Sequence, residues 1–365
     1  TEDAGSTGRA VGQALRQMHL LPESEEAPMK NIPVSFQSGV HTFEISQTLT
    51  KNQFTSVLNR AHARGKLIHN KKGQESYVLL DQQMPGITVT LYPIYQRRTY
   101  RVNIKVEPCR VLGSDDPTAL YQYSKKSFHK LQRLCDRYLE MLCIPGSIET
   151  MKVSRCDLTC NLGFPDQDYV DAYLRILKKS HLISGYRVDM FKANAKKAKD
   201  PKRANQHSHC IRCKQASLLC YDKIDQMKMV GRCPRELEDV AILRLEAQLK
   251  RPALKRVLGK KALENNAALL KAAAKHSVPI IKSYLNKMFP CSRTHLRYED
   301  AVSMVQKIKK ETLREQMLYL LRKVSDAATW DSAARKLKEH YKDVPDKRIK
   351  KIYSKFDALD IISLA

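Results

Sequence analysis

Two carboxylates, a phenol and several cations recur at alternate positions in three short stretches, and together they form a set suited to cleaving a phosphodiester. In Met151-Lys-Val-Ser-Arg-Cys-Asp-Leu-Thr-Cys, the residues Arg155, Asp157 and Thr159 alternate with Cys156, Leu158 and Cys160. Further on, Tyr221, Lys223 and Asp225 alternate with Cys220, Asp222 and Ile224, and Arg244, Glu246 and Gln248 alternate with Leu243, Leu245, Ala247 and Leu249. Successive side chains of a strand point to opposite faces, so each stretch predicts a strand with a polar stripe backed by an apolar one. Side by side in one sheet, the three stripes would merge. Asp157 and Glu246 would then offer hard oxygens to Mg2+ or Mn2+ and leave positions open for phosphate. Tyr221 would attack phosphorus, and because a free phenol titrates at about 10 it needs a nearby cation such as Lys223 to react at neutral pH. Lys223, Arg155 and Arg244 would stabilise charge on the equatorial oxygens, where most of the catalysis of phosphoryl transfer arises. The plain alternative is a solvated sheet face with ordinary cross-strand ion pairs.

Strands of this kind need a scaffold, and the chain is long enough to supply one. Its 365 residues suggest two or three domains, and 42% hydrophobic residues suffice for real cores. Lys and Arg exceed Asp and Glu by 65 to 38, a net charge of +27 that favours a polyanionic partner, nucleic acid before an anionic membrane surface. No window of about 18 apolar residues exists, so a spanning helix is excluded. Ten cysteines in a Lys-rich chain without a basic-then-apolar start read as reduced thiols of a cytoplasmic protein. Residues 1–30 are Gly, Ser, Glu and Ala rich and read as a disordered leader. Residues 31–260 have an α+β texture in two related strand-rich halves, expected to form a central antiparallel sheet flanked by helices. Helices are predicted over Lys51–Leu67, Pro117–Leu142 and about Asp166–Lys179. Residues 261–365 read as an entirely helical domain for DNA binding or partner docking, with 345–355 as a candidate recognition helix.

Basic stretches point to a DNA backbone. Lys192, Lys196, Lys197, Lys199, Lys202 and Arg203 lie in one loop between the Asp157 and Tyr221 strands, and Lys250, Arg251, Lys255 and Arg256 follow the Glu246 strand. Tyr92, Tyr95, Tyr100, Tyr121 and Tyr123 are candidates for base stacking or for core positions. His207, His209, Cys210 and Cys213 resemble half of a zinc site, but no second arm is near in sequence, and His209 and Cys210 would face opposite ways on a strand. The pair His207 and His209 also lacks the apolar middle residue of the His-hydrophobic-His nicking motif.

Four segments, in order, resemble the gene II replication initiators of filamentous phages and, more loosely, the rolling-circle initiators of small Gram-positive plasmids. They are Tyr100-Arg-Val-Asn-Ile-Lys-Val-Glu-Pro, Val153-Ser-Arg-Cys-Asp-Leu-Thr, Leu218-Leu-Cys-Tyr-Asp-Lys and Leu243-Arg-Leu-Glu-Ala-Gln-Leu-Lys-Arg-Pro, spanning about residues 35–260. The resemblance implies that Tyr221 becomes linked to the 5′ phosphate of the cut strand, with Lys223 beside it, Asp157 and Glu246 as acidic metal-binding residues, and Arg155 and Arg244 completing their motifs. It further implies double-stranded origin DNA and single-stranded DNA as substrates, a host helicase or polymerase as partner, a homodimer as an allowed assembly, and residence with a plasmid or nucleoid. A relaxase of conjugative transfer would use the same chemistry. A non-catalytic DNA-binding regulator would explain the charge but not the polar strand faces.

Overall fold

The first described strand, β1 (Phe36–Leu49), directs Val40, Phe43 and Ile45 to one face and Thr42, Glu44 and Ser46 to the other. This computed structural model describes residues 35–71, 75–94, 99–180, 183–189, 207–289, 295–296, 298–326, 330–342, 344–358 and 362–363. The leader at 1–30 and the basic loop carrying Lys192, Lys196, Lys197, Lys199, Lys202 and Arg203 lie outside the described residues.

After β1 the chain turns into α1 (Lys51–Arg64), which Thr50 and Gln53 start with a reciprocal capping box. Strands β2 (Lys66–Asn70), β3 (Ser76–Leu80), β4 (Ile87–Ile94) and β5 (Thr99–Val106) follow, then the short α2 (Pro108–Val111) and the long α3 (Lys125–Met141). The second half repeats the order. Strand β6 (Lys152–Phe164) leads into α4 (Gln167–Lys178), then β7 (Arg187–Asp189), β8 (Ser208–Arg212), β9 (Ala216–Asp222) and β10 (Ala241–Lys250), then α6 (Arg251–Leu258) and α7 (Asn266–Met288). One helix, α5 (Lys223–Met229), sits between β9 and β10 without a counterpart in the first half.

In each half the last strand returns to pair with the first. The result is one ten-stranded antiparallel sheet in the order β2-β3-β4-β5-β1-β6-β10-β9-β8-β7, the α+β architecture expected from the sequence. The halves meet where β1 pairs with β6, and there Thr42 lies opposite Asp157. Each of these residues stands seven positions before the end of its own strand, at Leu49 and Phe164. The junction is therefore the local two-fold centre of the repeated element order.

One face of the sheet is apolar. Cys156, Leu158, Cys160 and Leu162 of β6 and Leu243, Leu245, Ala247 and Leu249 of β10 share a core with Leu131, Tyr138 and Leu139 of α3 and Leu269, Leu270, Ala273, Ile281 and Leu285 of α7. Helix α7 therefore belongs to the sheet body. The boundary drawn at residue 260 from the loss of strand signals falls inside that body, because a helix that closes a sheet core carries no strand pattern of its own. The predicted helix at Pro117–Leu142 begins only at Lys125, where Ser124 caps it, and residues 112–124 form an irregular strap with turns at 112–113 and 117–118 instead.

A second core holds the C-terminal helices α8 (Tyr298–Gln306), α9 (Glu311–Asp326), α10 (Trp330–His340) and α11 (Asp346–Ala358), with Val305, Leu320, Leu321, Leu337, Ile352 and Phe356 at its centre. This body is not entirely helical: β11 (His295–Leu296) and β12 (Ile362–Ser363) pair in parallel. The nine described cysteines carry free thiols. Among the described residues no helix is long and apolar enough to cross a membrane.

Leu270 is fully buried in the sheet core. Leu270→Ala should lower the stability of the sheet body by about 2–5 kcal/mol, read from the urea midpoint at unchanged slope. An unaffected midpoint would return α7 to the C-terminal body.

Candidate active site

The opposite face of the sheet is polar, and its centre buries charge. Arg155, Asp157, Thr159 and Asn161 of β6 lie beside Arg244, Glu246 and Gln248 of β10, with Arg244 paired to Asn161 on one side and to Tyr221 of β9 on the other. Glu246 is opposite Thr159, and Gln248 is opposite Asp157. The expectation that three polar stripes merge on one face holds for Asp157, Glu246, Arg155, Arg244 and Tyr221.

Lys223 arrives by a different route from the one its spacing suggested. The strand ends at Asp222, whose carboxylate accepts from the backbone N–H groups of Ile224 and Asp225 and so caps α5. Lys223 and Asp225 are thus helical and do not continue the stripe of Tyr221. Ile224 and Met227 pack against Ile242, which shares its face of β10 with Arg244 and Glu246, and this docking holds the Lys223 amine on the polar side. Its Nζ donates to Gln226 Oε1 at 2.9 Å.

The contacts divide into two linked groups. Arg155 grips Asp157 with two parallel bonds, Nε to Oδ1 and Nη2 to Oδ2, each 2.7 Å, and Thr42 donates its hydroxyl to the same carboxylate. Arg155 Nη1 also lies 2.9 Å from Glu44 Oε1. In the second group, Tyr221 donates its hydroxyl to Glu246 Oε2 at 3.3 Å and Gln248 donates to Oε1 at 2.7 Å. His41 Nδ1 stands 3.3 Å from Glu246 Oε2. Beneath them Arg244, at 0% exposure, donates Nε to Asn161 Oδ1 at 2.7 Å and Nη2 to the Thr118 carbonyl at 3.1 Å.

His41, Thr42, Glu44, Asn161 and Thr118 were not singled out by the sequence. His41 escaped because the β1–β6 register shifts between Val40 and Thr42, which takes it out of the ladder and re-aims its ring. Strict alternation cannot reveal such a shift. Thr118 escaped because it contributes a carbonyl from the strap. The strap is seated by Val40 and Tyr121, which exchange backbone bonds of 3.1 and 2.9 Å. It passes so close to β1 that a Cβ on Gly39 would stand 2.6 Å from the Tyr121 carbonyl oxygen.

Burial sets the proton affinities. It pushes the Tyr221 phenol well above its ordinary value, the Glu246 charge adding to the shift and Arg244 opposing it. Burial also raises Asp157, against the pull of Arg155. For Glu246 burial again works upward, but His41, Gln248 and Arg244 outweigh it and hold the carboxyl below the usual range. The Lys223 amine is pushed down to about 7 by burial and by Arg244, with Glu246, Glu107 and Asp116 partly opposing.

The pair Asp157 and Glu246 does not fit a ready divalent-cation site: both Asp157 oxygens are taken by Arg155, and both Glu246 oxygens have close partners. Among the described residues no group of three or more His, Cys, Asp and Glu side chains is placed to hold a metal ion. His209 and Cys210 do face opposite ways on β8, with Cys210 joining Leu219 and Tyr221. His209 is buried on the other side, and burial lowers its pKa to about 4. Lys250, Lys255 and Arg256 are exposed and Arg251 is half-buried at the β10–α6 junction. Of the tyrosines considered for stacking, Tyr121 is buried in the core, Tyr100 packs its ring on Phe54 at 4.6 Å, and Tyr95 lies outside the described residues. No family model matches the chain, and no curated protein does.

Lys223 gives a stability signature with a definite sign. Its amine titrates at about 7 in the fold and near 10.5 ordinarily, so between those values the unfolded chain holds a proton that the folded chain lacks. Stability from this group therefore rises with pH across that window, and its full penalty is present below 7. At 7% exposure the span corresponds to at most ~5 kcal/mol. Denaturant titrations at pH 7 and 10 should show Lys223→Met losing this rise relative to the parent, and parallel pH profiles would contradict the buried amine.

Proposed function

We propose that the protein nicks and rejoins one strand of origin DNA through a covalent 5′-phosphotyrosine at Tyr221, as the rolling-circle replication initiators it resembles do. The observation that carries this reading is the convergence of a phenol and an acid 3.3 Å apart on a sheet face that also holds Asp157, Arg155 and a lysine titrating at about 7. In the forward step the Tyr221 oxygen bonds to phosphorus while the P–O3′ bond breaks. The phenolic proton leaves to a base, and the departing 3′ oxygen takes one up. Attack by a 3′ hydroxyl on the phosphotyrosine reverses both transfers and reseals a strand.

Lys223 suits both proton transfers, because an amine poised near the working pH gives and takes protons with little penalty. Glu246, held below its usual range, orients the phenol as acceptor of its hydrogen bond and leaves the proton to Lys223. Arg155 is half-buried, bound through Nε and Nη2 to Asp157 and through Nη1 to Glu44, and holds its positive charge beside the site for the phosphate. Arg244 is a positioning residue, fixed under the site by Asn161 and Thr118. Tyr221 is only 4% exposed, so strand entry requires the site to open. Mg2+ or Mn2+ is part of the proposal through Glu246, with Asp157 joining only on release of Arg155, and no step above depends on it. The helical body, α8 to α11, is assigned to origin binding or to docking of a helicase or polymerase.

The burial of Tyr221 and Arg244 favours one second reading, in which the cluster is a structural ion-pair network and the protein binds DNA without cutting it. One assay separates the two. Supercoiled DNA with its cognate origin, incubated with the protein and Mg2+ or Mn2+, should yield open circles with covalently attached protein. Tyr221→Phe should bind the same DNA and form no adduct. Nicking that persists in Tyr221→Phe refutes the nucleophile, and footprinting without strand breaks establishes the second reading.

A further inference from the structure

The polar face does not end alike in its two halves. At the end nearest Arg244, the 13-residue linker between α2 and α3, residues 112–124, crosses the face and plugs it through Thr118 and Tyr121. The equivalent linker between α6 and α7, residues 259–265, has only seven residues. At that opposite end the face stays open as a cleft of about 900 Å3 between β5, β1, β6 and the start of α6, and no residue of 259–265 lines it. Among the described residues its cations are Arg101, Lys152, Lys250 and Arg251, and no Asp or Glu lines it. Hydroxyls of Ser46, Thr48, Thr99 and Ser154 and apolar walls from Ile94, Met151 and Val153 fill the space between the charges.

We propose that this cleft binds the single strand that flanks the cut, so that DNA runs along β1 and β6 from Asp157 into the open end of the face. The proposal rests on the nicking reading for its direction, but the cleft itself stands on shape and charge. Thr42 marks the site and Ser46 the cleft, four residues along one strand, a separation of about 13 Å that a few nucleotides cover. A volume of about 900 Å3 lies within the range of small-ligand pockets, about 300–1,000 Å3, a size that suits a short unpaired stretch. Four cations without acids neutralise successive phosphates, and the hydroxyl and apolar walls accept bases without reading their sequence.

The test is binding without chemistry. A fluorescein-labelled twelve-nucleotide oligothymidine is titrated by anisotropy against the 365-residue chain carrying Tyr221→Phe, in EDTA and at several salt concentrations. Arg101 and Lys152 are both exposed, so a double variant, Arg101→Glu with Lys152→Glu, should keep its thermal melt. It should bind the oligonucleotide about tenfold more weakly or worse, and its slope of log K against log salt should fall by about 1.4, two phosphates at ~0.7 each. Unchanged affinity and slope overturn the proposal, and so does equal competition by a blunt duplex of the same length. Intact cleft binding by a protein that never forms an adduct would defeat the nicking reading alone. Unaltered binding by the double variant, with normal nicking by the same double variant carrying Tyr221, would defeat the cleft alone.

Discussion

A carboxylate taken out of water must be matched, and the whole polar face is organised by that demand at Asp157, which is 1% exposed. Arg155 supplies two donors in the fork geometry that a carboxylate accepts, and Thr42 supplies a third from the other half of the molecule. Arg155 in turn needs Glu44, which draws on Asn103 of β5. The charge network thus crosses the junction between the halves and fixes their register where backbone pairing alone is irregular. Removing one partner would leave an uncompensated buried charge, a far larger penalty than the net worth of the pair.

The repeated element order lets the two halves be compared position by position. With Thr42 equivalent to Asp157, the registers make Lys105 the counterpart of Glu246, Asn103 that of Arg244 and Thr90 that of Tyr221. The first half therefore carries a cation and two neutral side chains where the second carries an acid, a cation and a phenol. Each half needs the other: the second supplies Asp157, Glu246, Arg244 and Tyr221, and the first supplies Thr42, Glu44, His41 and the strap.

Much of this was legible in the sequence because strand periodicity is short and local. The stripes of β6 and β10 were readable from alternation, as were the α+β class and the two halves. Lys223 was misplaced because Asp222 stops the strand by capping a helix, and an Asp followed by Lys-Ile-Asp reads equally well as strand or helix start. Helix α7 was assigned to the wrong body because Ala-rich helices look the same whether they cover a sheet or a neighbouring helix. His41 and Thr118 depend on a register shift and on a carbonyl, and neither leaves a mark in residue type.

Gly39 sets how closely the strap can approach β1. The seat of Tyr121 against β1 exists because one position lacks a methyl group, with the Tyr121 oxygen filling the space that group would take. An alanine there would meet the Tyr121 oxygen and push the strap away from β1, disturbing the Thr118 carbonyl that binds Arg244. The fit of the strap against β1 is thus decided in the first half of the chain, by a residue with no side chain of its own.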